Sequence, residues 1–300
     1  MSVFDALQHS PAFYLTSVII LGLLVGSFLN VVIYRLPVML KQQWRSDCEE
    51  FLSEADNQNI PPVIKKITKT EQPFNLIHPR SRCPHCNHAI TAWENIPVIS
   101  YLFLKGRCSS CKTPISLRYP FIEALSGLLV FTVAWQLGFS TQAAFAILLT
   151  WVLIALTFID LDHFYLPDNL TLPFLWLGLL INIDATFVNL SSAVIGAIAG
   201  YLSLWSVYQL FKRLTGKEGM GYGDFKLLAL LGAWMGWQML PVIIILSSLV
   251  GAIVGISLIF FKNHQRSQPI PFGPYLAAAG WIALLWGEQI NQAYLNWLAY

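Results

Sequence analysis

Ala143-Ala-Phe-Ala-Ile-Leu-Leu-Thr-Trp-Val-Leu-Ile-Ala-Leu-Thr-Phe-Ile159 runs without a break into Asp160-Leu-Asp-His-Phe-Tyr-Leu-Pro-Asp168. The first part carries no charge, Gly or Pro, which is how a membrane-crossing helix reads; the second sets three aspartates at its end. Similar apolar stretches lie at 14–34, 121–137, 170–183, 191–211, 225–240, 242–261 and 275–287, each bounded by polar, Pro or Gly residues. Together they predict about eight transmembrane helices. Several fall short of the roughly 20 residues that cross about 30 Å of hydrocarbon, so their ends thin the bilayer or tuck inside the bundle. Composition agrees over all 300 residues: 56% are hydrophobic and 11% charged, against roughly 25% charged in an ordinary globular protein. A water-soluble monomer and a disordered chain are excluded, and five Cys are too sparse for a disulfide scaffold. The expected fold class is an all-α polytopic membrane protein whose first partner is the lipid bilayer; nothing in the chain points to nucleic acid or to an oligomeric state.

The net charge of +2 says little, but the positions of the 18 Lys and Arg say more. If the chain alternates sides, all of them fall in or beside the connections 35–120, 160–169, 212–224 and 262–274. The positive-inside rule makes that face cytoplasmic and places both termini outside. Met1 to Ser10 has no Lys or Arg, which argues against a removable signal peptide. The expected domains are a first helix over 1–35, a cytoplasmic domain over 36–120 and a seven-helix membrane core over 121–300. Within the cytoplasmic domain, Lys41 to Glu71 reads as an amphipathic helix followed by a linker at Pro61-Pro62.

That domain holds Cys83-Pro-His-Cys86 and, after 21 residues, Cys108-Ser-Ser-Cys111. Two such knuckles are spaced as in a zinc ribbon over 83–111: four thiolates in tetrahedral positions around one structural Zn²⁺, which supplies folding energy to a small loop-rich domain. On a cytoplasmic face, disulfides are the poorer alternative. His85 and His88 sit beside the first knuckle, where four thiolates make them redundant, and Cys48 reads as a free thiol.

The carboxylates at the helix ends are the second signal. Ionisable groups at membrane depth are costly and point to function. Asp168 precedes a helix and can cap it, Asp162 fits a solvated turn, and Asp224, in Gly219-Met-Gly-Tyr-Gly-Asp224, can cap the helix that follows. Asp160 is harder to explain, because it ends a helix where the dipole disfavours a carboxylate. Asp160 and Asp224, 64 positions apart on separate helices, can meet across a bundle and share one proton, and such a pair activates water for peptide hydrolysis.

Gly26-Ser-Phe-Leu-Asn-Val-Val-Ile-Tyr-Arg-Leu-Pro37, the two Cys knuckles, Ile159-Asp160 through Leu166-Pro-Asp168, Gly219-Met-Gly-Tyr-Gly-Asp-Phe-Lys226 and Pro271-Phe-Gly-Pro274 together resemble the type IV prepilin peptidases. The resemblance implies a bifunctional enzyme of the bacterial inner membrane. It would cut the leader of type IV prepilins or type II secretion pseudopilins after a Gly, then N-methylate the new terminus with S-adenosylmethionine. Carried over position by position, it makes Asp160 and Asp224 the catalytic pair and Cys83, Cys86, Cys108 and Cys111 the zinc ligands.

No Gly-rich nucleotide loop follows a strand. Gly106 and Arg107 in the turn entering the second knuckle, and Glu123 at the head of the next helix, are the candidates for methyl-donor binding, with a structural turn and a buried structural carboxylate as their alternatives. The Gly-x-x-x-Gly pairs 22/26, 196/200, 232/236 and 251/255 read as close helix packing. Two other classes stay open. A transporter would show inverted repeats and a continuous polar file; an assembly factor docking through its zinc ribbon would keep its function without both aspartates.

Overall fold

The computed structural model describes residues 3–55, 74–262 and 270–298. The linker expected at Pro61-Pro62 lies outside the described residues. The helices are α1 (Val3–His9), α2 (Pro11–Ala55), α3 (Ile99–Phe103), α4 (Arg118–Leu137), α5 (Thr141–His163), α6 (Asp168–Ile181), α7 (Leu190–Thr215), α8 (Tyr222–Met235), α9 (Leu240–Lys262) and α10 (Gly273–Leu298). Ser140 caps α5 by accepting the Ala143 N–H, and Asn189 caps α7 by accepting that of Ser192.

Among the described residues five helices, not eight, are long and apolar enough to cross a membrane: α2, α4, α5, α7 and the segment Trp237–Leu258 that contains most of α9. The expected spans at 170–183 and 225–240 are the 14-residue helices α6 and α8, each about 21 Å long and too short for the hydrocarbon thickness. The stretch at 275–287 belongs to α10, whose apolar run is diluted by Gly, Trp, Glu288 and Gln289. A short, wholly apolar stretch has the same composition whether it faces lipid or lies in a protein core, so hydropathy counted the buried α8 as a span.

The chain divides into two compact units, Met1–Ile19 with Leu128–Tyr300, and Ile20–Gly127. In the first, α8 is the axis: Phe225, Leu227, Leu228, Leu230, Leu231, Ala233 and Trp234 are all buried, and α6, α7 and α10 surround them. Lipid tails are as apolar as Leu, so close van der Waals packing holds such helices together. The glycines of α7 make that packing possible. A Cβ at Gly196 would run into the Gly232 carbonyl, and one at Gly200 would lie 2.6 Å from the Leu228 oxygen.

The end of α8 away from Asp224 is closed by Asn182, which is fully buried. Its amide donates to the Ala233 and Trp234 carbonyls at 2.9 and 3.1 Å, and its oxygen accepts the Phe187 and Val188 N–H groups. Carbonyls that a helix end leaves unpaired are thus satisfied. A second cluster of Tyr14, Val18, Val133, Ala134, Ile147 and Leu285 includes the start of α2 and the later part of α10. The Tyr14 hydroxyl donates to the Gly138 carbonyl at 3.0 Å.

In the second unit α2 and α4 approach at Gly26, where a Cβ would lie 2.8 Å from Glu123 Cα, and Ser126 donates its hydroxyl proton to the Gly22 carbonyl at 2.6 Å. The buried Arg35 guanidinium donates to the Asn75 and Pro79 carbonyls at 2.8 and 2.6 Å, fastening the returning chain to α2. The expected zinc-ribbon fold is not there: no β-strand occurs among the described residues, and only the isolated bridges Arg82 to Ala89 and Arg107 to Pro114 flank the knuckles. Pro114 lacks the N–H that would extend its bridge, and the residues between the knuckles form a 3₁₀ turn at Trp93–Asn95 and the helix α3.

Candidate functional site

Asp160 lies one turn from the end of α5, where Phe164 takes a left-handed conformation and its N–H bonds back to the Asp160 carbonyl. The side chain is 5% exposed. Its Oδ2 accepts the Gly273 N–H at 3.0 Å. That N–H opens α10 and has no acceptor within its own helix, so a helix terminus is turned on the carboxylate. The fit leaves no room at residue 273, where a Cβ would lie 2.6 Å from Asp160 Oδ2.

Asp224 stands in the first turn of α8, three residues after the cap residue Gly221, and is 7% exposed. Its carboxylate hydrogen-bonds back to the Gly221 backbone and interacts electrostatically with Asp160. The helix begins at Tyr222, before Asp224, so Asp224 is not its N-cap as the sequence suggested; its contact with Gly221 is instead half of a capping box. Burial beside a second carboxylate is more than capping requires. Leu166 lies between the starts of α8 and α10: it is 2.9 Å from a Cβ built on Gly223 and 3.3 Å from one on Gly273.

The other two aspartates do something else. Asp162 is exposed. Asp168 opens α6, but its side chain makes no cap; both of its oxygens accept from Lys226 Nζ at 2.7 Å, which ties the first turn of α6 to the turn carrying Asp224. The sequence motifs contained both Lys226 and Gly273, and neither role was visible there, because each partner is more than 50 residues away.

The four cysteines meet in the second unit. Their sulfurs lie within 4.8 Å of one another, and the Cys83–Cys111 and Cys86–Cys108 separations are 3.8 and 3.9 Å. Four sulfurs about 2.3 Å from one tetrahedral ion stand about 3.8 Å apart, so the donor set fits such a metal. The knuckles share one hydrogen-bond pattern: Cys83 N to His88 O with Asn87 N to Cys83 O, and Cys108 N to Thr113 O with Lys112 N to Cys108 O. Backbone N–H groups of Cys86 and His85 hold the Cys83 thiol below its usual range, and the Thr113 hydroxyl and N–H hold Cys111 down to about 6, whereas Cys86, despite the His88 N–H, is pushed up to about 11 by burial and the neighbouring thiols; a bound cation is what would make all four thiolates. Glu94 ties the loop between the knuckles. The Ser109 hydroxyl first and the Thr91 N–H second hold its carboxyl down to about 2, and His88 reaches it at 3.3 Å.

Gly106, Arg107 and Glu123 belong to this unit too. Gly106 is buried at φ +67°, with the Tyr101 hydroxyl 2.7 Å from where a Cβ would stand. Glu123 is buried, and its Oε2 accepts the Val98 N–H at 2.8 Å. Of the three, only Arg107 presents an exposed side chain.

Fold and site define a multi-pass helical membrane protein with a buried aspartate pair in one unit and a four-cysteine metal-binding cluster in the other. Two family descriptions match the chain: the bacterial peptidase A24 N-terminal domain over residues 20–137, and the type IV leader peptidase family over residues 147–256. The chain is 57% identical over 299 residues to a prepilin leader peptidase/N-methyltransferase of Aeromonas hydrophila, covering 99% of each protein. It is 53% identical over 300 residues to a protein of that name from Pseudomonas aeruginosa, covering 100% of each. With one from Neisseria gonorrhoeae the identity is 50% over 282 residues, 94% of this chain and 93% of the other. No solved structure matches. The chain belongs to the type IV leader peptidase family.

Proposed function

We propose that this chain is a membrane aspartic endopeptidase and N-methyltransferase, cutting the leader of type IV prepilins or type II secretion pseudopilins after a Gly and methylating the new amino terminus. The observation that carries the peptidase half is the burial, side by side, of Asp160 from the end of α5 and Asp224 from the start of α8. Two carboxylates so placed share one proton. The ionised one takes a proton from water as the water oxygen bonds to the scissile carbonyl carbon, and the protonated one hydrogen-bonds to the carbonyl oxygen as it gains charge. The tetrahedral species then collapses with proton transfer to the leaving amine. The Gly273 N–H and the Gly221 backbone hold the two carboxylates in place.

The site lies at the membrane edge, as a substrate with a soluble leader and an apolar helix requires. Lys226, Lys212 and Lys217 cluster at or near this end of the first unit, where Lys212 meets Tyr208 and Tyr208 meets Tyr222. By the positive-inside rule this end faces the cytoplasm of the bacterial inner membrane. The helix α10 starts here, at Asp160, and its Gly287 reaches Met239, beyond the far end of α8. On this reading the later part of α10, and the start of α2 that clusters with it through Tyr14, Val18 and Leu285, face the periplasm, and both termini with them.

Zn²⁺ is the metal we assign to Cys83, Cys86, Cys108 and Cys111. It supplies folding energy there, and four thiolates complete its coordination. S-adenosylmethionine is the methyl source that the second activity needs. Arg107, exposed beside Gly106, is the candidate most open to it, and Glu123 and Gly106 complete the proposed set.

Mass spectrometry of a prepilin amino terminus, after incubation with full-length protein and S-adenosylmethionine, tests both halves. Wild type should remove the leader and add one methyl group. Asp160→Asn and Asp224→Asn should each leave the substrate uncut, and Arg107→Ala should cut without methylating. Normal cleavage by either aspartate variant would overturn the paired-carboxylate mechanism.

A further inference from the structure

The helix α3 is amphipathic the wrong way round for a soluble domain. Along its single turn Ile99, Leu102 and Phe103 fall within about 100° of arc, and they are 49%, 69% and 84% exposed. Tyr101 points to the opposite side, where its hydroxyl donates to the Ile115 carbonyl at 3.3 Å and packs on Gly106. The polar side of the turn is therefore spent on the second knuckle, and the apolar side faces out. Leu117, 72% exposed, immediately precedes α4.

The depth of this apolar face follows from one hydrogen bond. Val98, the residue before α3, gives its N–H to Glu123 at 2.8 Å. Val98 holds φ +60°, a conformation a β-branched residue rarely takes, so the attachment fixes the turn against its backbone preference. Glu123 is five residues inside α4, about 7.5 Å along a 20-residue helix that spans about 30 Å. The start of α3 is thus level with the first turns of a membrane-crossing helix, and interfacial helices bury their apolar faces about 5–10 Å into the headgroup and acyl boundary. Exposed Lys105 follows α3 within two residues, where phosphate groups would meet it.

We propose that Ile99, Leu102 and Phe103 of α3 insert into the bilayer leaflet at the head of α4, so that the metal-binding domain rests on phospholipid through this turn. The occupant is lipid, because Val98 ties the turn to Glu123, within the first turns of a helix long and apolar enough to cross the membrane.

Photo-crosslinking tests this with the full-length protein in phosphatidylethanolamine and phosphatidylglycerol vesicles, p-benzoylphenylalanine replacing one residue at a time. Phe103 is the test position. Phe121, half-exposed in α4, is the lipid-facing reference. Asp47, exposed on α2, is the aqueous reference; it is 20 residues beyond Ser27, which lies level with Glu123, so about 30 Å along the helix. Intact-mass analysis should show phospholipid adducts at 103 in a yield similar to 121, and about tenfold less at 47. Adducts at 121 without any at 103 would overturn the proposal. So would a protein adduct at 103, which would make the turn a docking face for a substrate or a second copy.

Discussion

At the residue scale the site depends on atoms that a motif does not display. Asp160 and Asp224 stood out in the sequence because a carboxylate is expensive where apolar helices end, and the structure buries both and lets them interact. The four cysteines were legible because their spacing is itself the geometry of a metal knuckle. Gly273 was not: its contribution is a backbone N–H and the absence of a side chain, and its partner is 113 residues away. Asp168 misled in the opposite sense, since an Asp before a helix reads as a cap and only the fold brings Lys226 to it. Gly273→Ala follows from this geometry. The added methyl would lie 2.6 Å from Asp160 Oδ2 and must displace the carboxylate. A misplacement of about 1 Å can lower a rate about 10²-fold, so prepilin cleavage should fall by about that factor while the thermal midpoint in detergent shows the fold retained. Unchanged cleavage would mean that Asp160 tolerates movement, and with it that the Gly273 contact does not position a catalytic group.

At the element scale the sequence located the helices well and classified three of them wrongly. The five spans matched expected apolar stretches, because a long uncharged run has few other uses in a chain this hydrophobic. The helices α6 and α8 are equally apolar but only 14 residues each, and what decides their role is the packing around them. Glycine pairs show the same limit. The pairs at 196/200 and 232/236 do mark an approach of backbones, between α7 and α8, whereas a Cβ built on Gly255 in α9 would meet, among the described residues, only the tip of Ile270 at 3.5 Å. One substitution separates the cases. Gly196→Ala should destabilise by about 1–3 kcal/mol or more through overpacking, and Gly255→Ala should be neutral or stabilise by up to about 1 kcal/mol, the helix-propensity gain of Ala over Gly. Thermal denaturation in one detergent measures both, and equal shifts in the same direction would show that α7 and α8 are free to move apart.

For the whole molecule, the division into two units assigns different sources of stability to different chemistry. The unit Leu128–Tyr300 with Met1–Ile19 has the apolar cluster around α8, the buried Asn182 network and the aspartate pair. In the unit Ile20–Gly127, the chain from Phe74 to Ser116 contains one five-residue α-helix, one 3₁₀ turn and two isolated bridges, so little secondary structure holds it. The sequence anticipated a β-ribbon there because the cysteine spacing is shared by ribbon and non-ribbon knuckles alike; spacing specifies the ligand shell and leaves the connecting chain undetermined. On the metal assignment proposed above, a domain with so little internal packing would draw folding free energy from the ion. Removing the metal with a chelator from the full-length protein in detergent should therefore raise amide hydrogen exchange across 83–115 to nearly unprotected rates, as local unfolding of a low-stability region does. Amides of α8, whose stability rests on packing against α6, α7 and α10, should keep their protection. Cys86→Ser with Cys111→Ser should reproduce the exchange pattern and abolish metal binding by elemental analysis. Loss of protection in α8 on chelation would show instead that the metal supports the aspartate-bearing helices, and unchanged exchange at 83–115 would show that the knuckles stand without it.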